Sequence, residues 1–436
     1  MRVPFTVTIE RIIPGGRGLA RHEGRAVFVP HVVSGDQIRV QNVNDRRSYL
    51  EVMEFDILSP SAERVPPPCR YFGQCGGCDF QQMSDARQLA AKEEMLLDAL
   101  RHIGKIDFQD SQIRVHASPS TGYRNRLQLK PIVSERRFSW GYYEAGSHEV
   151  CGVEECLISS PLLWRELEGL KRTLEAVPSV CRHVEEVDVF LGDDGCLAEL
   201  ILREAPGGLS AAAESLRVVE HPSGLNLRLR LPTSGGKWSS EVRHATVCGS
   251  GYVWKAVEPF RYRVSHGAFF QINDPMLPLL RNVATEGCRG ENALELFCGV
   301  GFFCLQLARN FGRVHAVEIN PAAVSDLKAG LQANSIVNCD VFEADLRVFL
   351  SRHSNLSQNM DLLLIDPPRA GLPKEAVHAV AEIRAREIVY VSCDPATLSR
   401  DLRILREHQY EIASLDLLDL FPQTHHLEAV ARLRRS

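Results

Sequence analysis

Residues 291–301 read ENALELFCGVG, and this stretch decides the fold. ENALELF has the length and apolar character of a buried strand; Gly299 and Gly301 then turn the backbone into a segment with helical spacing. Just beyond, RVHAVEIN (313–320) is a second strand ending near the acidic Glu318. CDVFEA (339–344), MDLLLID (360–366) and EIVYVSC (387–393) repeat the pattern, with helical stretches between them. Apolar strands alternating with helices predict a doubly wound, Rossmann-like α/β domain with a parallel sheet over residues 266–436.

Working outward, residues 1–60 hold the short β segments VTIERI, RAVFVP, QIRVQNV and LEVMEFDIL, separated by the turn-rich stretches at 14–18 and 34–36. That pattern predicts a small OB-like β-barrel. The prolines from Pro60 to Pro68 break all periodicity and set a boundary near 60. Residues 84–104 have helical spacing, with Ser84 or Asp85 to cap the helix and Gly104 to end it, and this helix is expected to pack on the C-terminal domain. Residues 112–265 alternate mostly at period two, predicting an antiparallel β domain with a helix near 161–177. The chain therefore divides into units at 1–60, 61–265 and 266–436.

Of the 436 residues 44% are apolar and 24% charged, the balance of a folded soluble chain rather than a disordered or fibrous one. Fifty basic against 55 acidic residues leave a net charge of −5, which excludes a highly basic nucleic-acid coat and confines any nucleic-acid contact to a patch. No apolar run nears the roughly 18 residues of a membrane span, and the first ten residues lack a signal-peptide core, so a cytoplasmic location without membrane contact is expected. Thirteen cysteines, an odd and sparse number, do not make a disulfide scaffold. In a reducing compartment, an organised subset points to metal binding or catalysis.

Such a subset exists at Cys69, Cys75 and Cys78, with glycines that let the backbone wrap closely; a fourth thiolate is available at Cys151 or Cys156. Soft four-fold thiolate ligation suits an iron–sulfur cluster or zinc, and spacing does not choose between them. In the C-terminal domain, Gly299 and Gly301 allow a nucleoside close to the backbone, and Glu318 sits where a second-strand carboxylate reaches ribose hydroxyls. With two glycines rather than three, the E-x-F-x-G-x-G form points to S-adenosylmethionine, and Asp345 and Asp366 end the next two strands at the ligand-binding edge. Cys393 lies where EIVYVSC meets a helix beginning near Pro395. A helix N-terminus lowers a thiol pKa, which points to a reactive thiolate, while Asp394 acts in the opposite direction. In FPQTHHLE (421–428), His426 and Glu428 share a face if the segment is extended, and a general base fits there. Tyr123, Arg124 and Arg126 form an aromatic and cationic group able to stack on a base or hold phosphate.

Taken together and in order along the chain, these features resemble the RNA (uracil-5-)methyltransferase family, in its iron–sulfur branch acting on 23S ribosomal RNA. The resemblance implies that residues 1–60 form a TRAM RNA-binding barrel and that Cys69, Cys75, Cys78 and Cys156 ligate a [4Fe–4S] cluster. It places Gln271 of FFQIN, Phe297, Gly299, Glu318, Asp345 and Asp366 on S-adenosylmethionine. Phe302 stands where the family often has Asn, so only its backbone can serve the cofactor, and Asp345 replaces an Asn of close relatives. SCDPATLSRD matches the nucleophile motif at Cys393, and FPQTHHLE the base motif at Glu428, with His426 expected to orient it. The implied partner is 23S rRNA, with no obligatory protein partner.

The implied chemistry explains the pair. Uracil C5 is a poor nucleophile until a thiolate adds at C6, and a base must then remove the C5 proton. Rival readings are a redox protein using the cluster, a silent RNA-binding module, a transfer-RNA enzyme, and a cytosine-5 methyltransferase; cytosine enzymes usually carry a second catalytic cysteine nearby.

Overall fold

A computed structural model describes residues 4–108, 113–133, 138–217, 224–232, 238–352 and 360–435. Eight strands form the C-terminal sheet, in the order Cys339–Glu343, Phe311–Glu318, Gly290–Leu296, Leu362–Ile365, Glu387–Ser392, Glu428–Arg435, Tyr410–Leu418 and Ile113–His116. The first five are parallel, as the alternation predicts. Glu428–Arg435 is inserted antiparallel to both of its neighbours, so the sheet is mixed. The reason is length: residues 419–427 are too few for the dozen or so that a parallel crossover requires.

Alternate residues of the central strands feed two cores, one on each face. Leu362, Leu364, Val389 and Val391 pack with helices Leu277–Thr285, Cys304–Asn310 and Pro321–Ala333. Leu363, Ile365, Ile388 and Tyr390 pack with helices Lys374–Glu382 and Pro395–Glu407 and with the end of helix Asp85–Ala99. That last helix is capped by Ser84, which accepts from the Arg87 N–H at 3.3 Å, and it runs into a π-helical turn at Leu100–Gly104. It joins the C-terminal layer, where Lys92, wholly buried, donates to Asp419 at 2.5 Å and to the Phe421 carbonyl at 2.9 Å.

Six strands from Phe5 to Ser59 form one sheet around an apolar core that includes Val7, Ala20, Val29, Ile38 and Leu50. The turn read at 14–18 is shorter than expected: Arg17–His22 is already a strand, and Gly18 is needed because a Cβ there would lie 2.3 Å from Val32. The middle region carries a seven-stranded sheet and helix Pro161–Ala176. That sheet is not wholly antiparallel, since Cys196–Leu202 and Gly224–Pro232 pair in parallel with helix Leu209–Leu216 between them.

Two pieces of the 112–265 segment lie elsewhere. Ile113–His116 is the edge strand of the C-terminal sheet, where Arg114 and His116 hold Asp416 at 2.6 and 2.8 Å. The hairpin Tyr252–Val257 and Phe260–Ser265 contributes Val253, Phe260 and Tyr262 to the C-terminal core. Period-two alternation marks a strand's inner face without saying which core receives it. Among the described residues no helix is long and apolar enough to cross a membrane.

Candidate functional site

The glycine turn closes the strand Gly290–Leu296. Phe297, Gly299 and Gly301 all have positive φ, of 61°, 53° and 88°. At Gly301 a Cβ would meet Leu327 at 2.3 Å, whereas at Gly299 nothing lies within 4 Å, so that backbone faces open space. The Glu318 carboxylate accepts from the Gly299 N–H at 2.9 Å and from the Ile319 and Asn320 N–H groups at 2.8 Å each. Phe297, Glu318 and Asp345 line one cleft of about 260 Å³ together with Pro368 and Gly371. Asp345 accepts from the Arg347 N–H at 2.9 Å and so starts helix Leu346–Arg352.

Phe302 departs from this group. Its ring is buried against Tyr262, Phe270 and Phe303, and its carbonyl accepts from the Tyr262 hydroxyl at 3.1 Å. An apolar residue after the second glycine is drawn into the core rather than the cleft.

The second cluster sits at the ends of three neighbouring strands. Gln271, buried, donates to Asp366 at 3.4 Å. Asp366 keeps a little solvent access, yet the surrounding protein pushes its carboxyl up to about 7. Glu428, 3% exposed, is held well above the usual carboxylate range by burial and by the Asp366 charge, with Arg369 opposing. Cys393 lies between the strand ending at Ser392 and the helix capped by Asp394, which accepts from the Thr397 N–H at 2.7 Å. Its thiol is pushed up to about 12, by burial first and then by Glu428, with Arg369 opposing and Asp366 and Asp394 adding. The helix N-terminus therefore does not yield a resting thiolate; desolvation of the charged form outweighs it.

No hydrogen bond joins His426 to Glu428 among the described residues; the His426 ring lies against His425 and Phe421. Sequence alone marks Glu295 only as the first residue of the E-x-F-x-G-x-G form. It is completely buried, both its carboxylate oxygens lack partners among the described residues, and burial drives its pKa well above the usual range. An acidic residue inside an otherwise apolar strand was the available signal.

Cys69, Cys75, Cys78 and Cys156 all line a cavity of about 170 Å³, together with Gln81, Arg124 and Tyr142. Cys151, the other candidate fourth thiol, is buried on the strand Val150–Gly152 and does not contribute to that lining. Among the described residues no group of three or more His, Cys, Asp or Glu is gathered tightly enough to hold one metal ion.

The proposed RNA contacts in 123–126 are corrected by their surroundings. Tyr123 is buried, its hydroxyl donating to the Pro422 carbonyl at 2.9 Å, and offers no face to a base. Arg126 is spent on Asp188, at 2.9 and 2.6 Å, and on the Ala268 carbonyl at 2.8 Å. Arg124 lines the cysteine cavity, its Nε buried without a partner among the described residues. The partners that take up Tyr123 and Arg126 come from distant segments, which alternation alone does not reveal.

Residues 84–436 match the tRNA (uracil-5-)-methyltransferase family. Over nearly its whole length the chain is 33% identical to a 23S rRNA (uracil(1939)-C(5))-methyltransferase of Cronobacter sakazakii, covering 99% of this chain and 96% of that one. It is 30% identical to an uncharacterized RNA methyltransferase of Aquifex aeolicus, covering 99% and 98%. In fold it is similar to the Pyrococcus abyssi tRNA (uracil-54, C5)-methyltransferase solved with S-adenosyl-L-homocysteine, with a TM-score of 0.75 at 22% identity and coverage of 98% and 99%.

Proposed function

The chain belongs to the tRNA (uracil-5-)-methyltransferase family and is an S-adenosylmethionine-dependent RNA uracil-C5 methyltransferase; on that premise we propose that its substrate is a uridine of 23S rRNA, modified through a covalent adduct at Cys393. The observation that carries the mechanism is the meeting of Cys393, Glu428 and Asp366 at adjoining strand ends, beside the cleft that Glu318 and the glycine turn define.

S-adenosylmethionine, when bound, supplies an electrophilic methyl group. The chain's own residues do the rest. Gly299 would leave room for the nucleoside and Glu318 would meet its ribose hydroxyls; Phe297 and Asp345 line the same cleft, and Gln271 and Asp366, joined to each other, would also serve the cofactor. The Cys393 sulfur adds to C6, raising electron density at C5. Because the thiol is protonated at rest, its proton leaves as the C–S bond forms, and the adjacent Asp366 carboxyl, in its ionised form, receives it. Once C5 carries the methyl, Glu428, in its ionised form, removes the C5 proton; the C5–H electron pair restores the double bond and the C6–S pair returns to sulfur. The target base has to leave its stack to expose this face.

Cys69, Cys75, Cys78 and Cys156 would hold a [4Fe–4S] cluster. Four thiols lining one cavity are the donor set that such a cluster takes. It would supply a covalent tie between the 69–78 segment and residue 156, and no step of methyl transfer passes through it. Residues 1–60 are read as the TRAM barrel, which with the middle region would hold the RNA.

The family description names tRNA whereas the Cronobacter relative is named for 23S rRNA, so the test offers both. Labelled S-adenosylmethionine is incubated with unmodified 23S rRNA and tRNA, and the product nucleosides are mapped by mass, with Cys393→Ala as control. Label in 5-methyluridine of 23S rRNA, lost in the variant, is expected. Label in tRNA alone overturns the substrate, and undiminished label with Cys393→Ala overturns the mechanism.

A further inference from the structure

Asp79 directly follows Cys78, and its carboxylate reaches out of the cysteine segment to His425. It accepts from the His425 backbone N–H at 3.2 Å and lies 2.7 Å from Nδ1 of the same residue. The N–H groups of Asp79 and Phe80 both donate to the Gln423 carbonyl, at 2.9 and 3.0 Å. Residues 423–425 therefore hang on two adjacent residues of a segment more than three hundred positions away. The His425 ring lies against that of His426, tilted, at 4.0 Å between centroids, and the buried Leu427 leads directly to Glu428.

The earlier part of this loop has separate anchors. Asn273 donates to the Leu420 carbonyl and Lys92 to that of Phe421, both at 2.9 Å, and Tyr123 holds Pro422. Gln88 both donates to the Gln423 side chain, at 3.0 Å, and accepts from its N–H, at 2.9 Å. Among the described residues, the Asp79 contact is the last hydrogen bond from outside the loop before the strand begins at Glu428. Its loss would leave residues 420–423 in place and free only 425–428. Proton abstraction requires the base within hydrogen-bond reach of the proton, and small misplacements are costly in rate.

We propose that Asp79, acting through His425, is a positioning residue for Glu428, so that the cysteine segment sets the geometry of the elimination step and not of methyl transfer. This rests on Glu428 as the base, as read above. With ordinary uridine the C5 proton goes to Glu428 and the C6–S bond breaks, its electron pair returning to sulfur. With 5-fluorouridine C5 carries no proton, so the methylated adduct persists whatever the base does.

The experiment uses the full chain, labelled S-adenosylmethionine, and two 23S rRNA transcripts, one ordinary and one substituted with 5-fluorouridine. Asp79→Asn and His425→Ala are compared with wild type; the second leaves Asp79 and Cys78 untouched, so the test does not depend on assembly of the cysteine site in a single variant. Both variants should form the fluorinated adduct at the wild-type rate, yet accumulate a methylated protein–RNA adduct on ordinary RNA, with turnover lowered ~10–100-fold and KM for RNA unchanged. The double variant should be no slower than either single one, as expected of two residues in one linkage. Fluorinated-adduct formation slowed as much as turnover, or no adduct on ordinary RNA, overturns the proposal. Glu428→Gln separates the two failures: if it too gives no adduct on ordinary RNA, the reading of Glu428 fails, and if it does while the Asp79 and His425 variants do not, only the positioning role fails.

Discussion

Asp366 lies close enough to Glu428 for its charge to oppose ionisation of a carboxyl that burial already disfavours, and the same two groups both raise the Cys393 thiol. The three cannot all be charged together, which forces an order on their protons.

The first consequence is a pH dependence. The ionised Asp366 carboxyl, proposed to accept the thiol proton, is scarce below about 7. The rate should rise as pH passes from 6 to 8, and in Asp366→Asn that rise should vanish along with most of the activity. A pH profile of kcat/KM for wild type and variant checks it; a wild-type profile flat across this window contradicts the assignment.

Cys393→Ala should keep S-adenosylmethionine affinity within about twofold while turnover falls beyond detection, because the adduct cannot form. Glu428→Gln should lower turnover by ~10²–10⁴-fold and leave the methylated RNA bound to the protein. Denaturing gels of labelled RNA separate the two phenotypes.

Glu318→Ala removes the carboxylate that braces Gly299 and that is proposed to meet the ribose. Affinity for S-adenosylmethionine should drop by about tenfold, the worth of one charge-assisted hydrogen bond. Calorimetric titration measures it, and an unchanged Kd would displace the ribose from Glu318.

Cys156→Ser should strip iron and sulfide from the purified protein, whereas Cys151→Ser should retain both, since only the former lines the cavity with Cys69, Cys75 and Cys78. Metal and acid-labile sulfide analysis decides between them; equal loss in both variants would return Cys151 to the ligand set.

Glu295 provides a test by stability. Its folded pKa lies above the ordinary 4.5, so the wild type loses stability as pH rises from there toward the folded value, and Glu295→Gln does not. The advantage of the variant should grow by up to about 1.4 kcal/mol per pH unit in that window. Thermal melts at pH 5 and 7 read the trend, and a difference that does not change with pH would show the carboxyl to be ionised.

Much of this was legible. Gly301 abuts Leu327 so closely that no side chain fits, and Glu318 follows at the spacing that a strand, helix and strand impose; such demands are written into residue type. The parallel strands carried their own apolar signature. What stayed hidden depended on which surface a side chain meets. Tyr123 and Arg126 alternate as a strand should, but the Pro422 carbonyl and Asp188 that consume them come from distant segments. The fall of the Cys393 pKa expected from its helix was overruled by burial, a property of the assembled layers. Gln88 and Lys92 were visible only as polar residues one helical turn apart on the face that Met95 and Leu96 make apolar.

The edge strand Ile113–His116 bears on how this protein can be dissected. An expressed fragment of residues 266–436 would look like a complete catalytic unit by its motifs, yet it would lack that strand and the hairpin at 252–265. The backbone of Tyr410–Leu418 would become an open edge, a template for other chains, and buried Asp416 would lose both Arg114 and His116. Truncation at the motif boundary therefore leads to aggregation, and the shortest soluble piece that retains catalysis has to start ahead of Ile113.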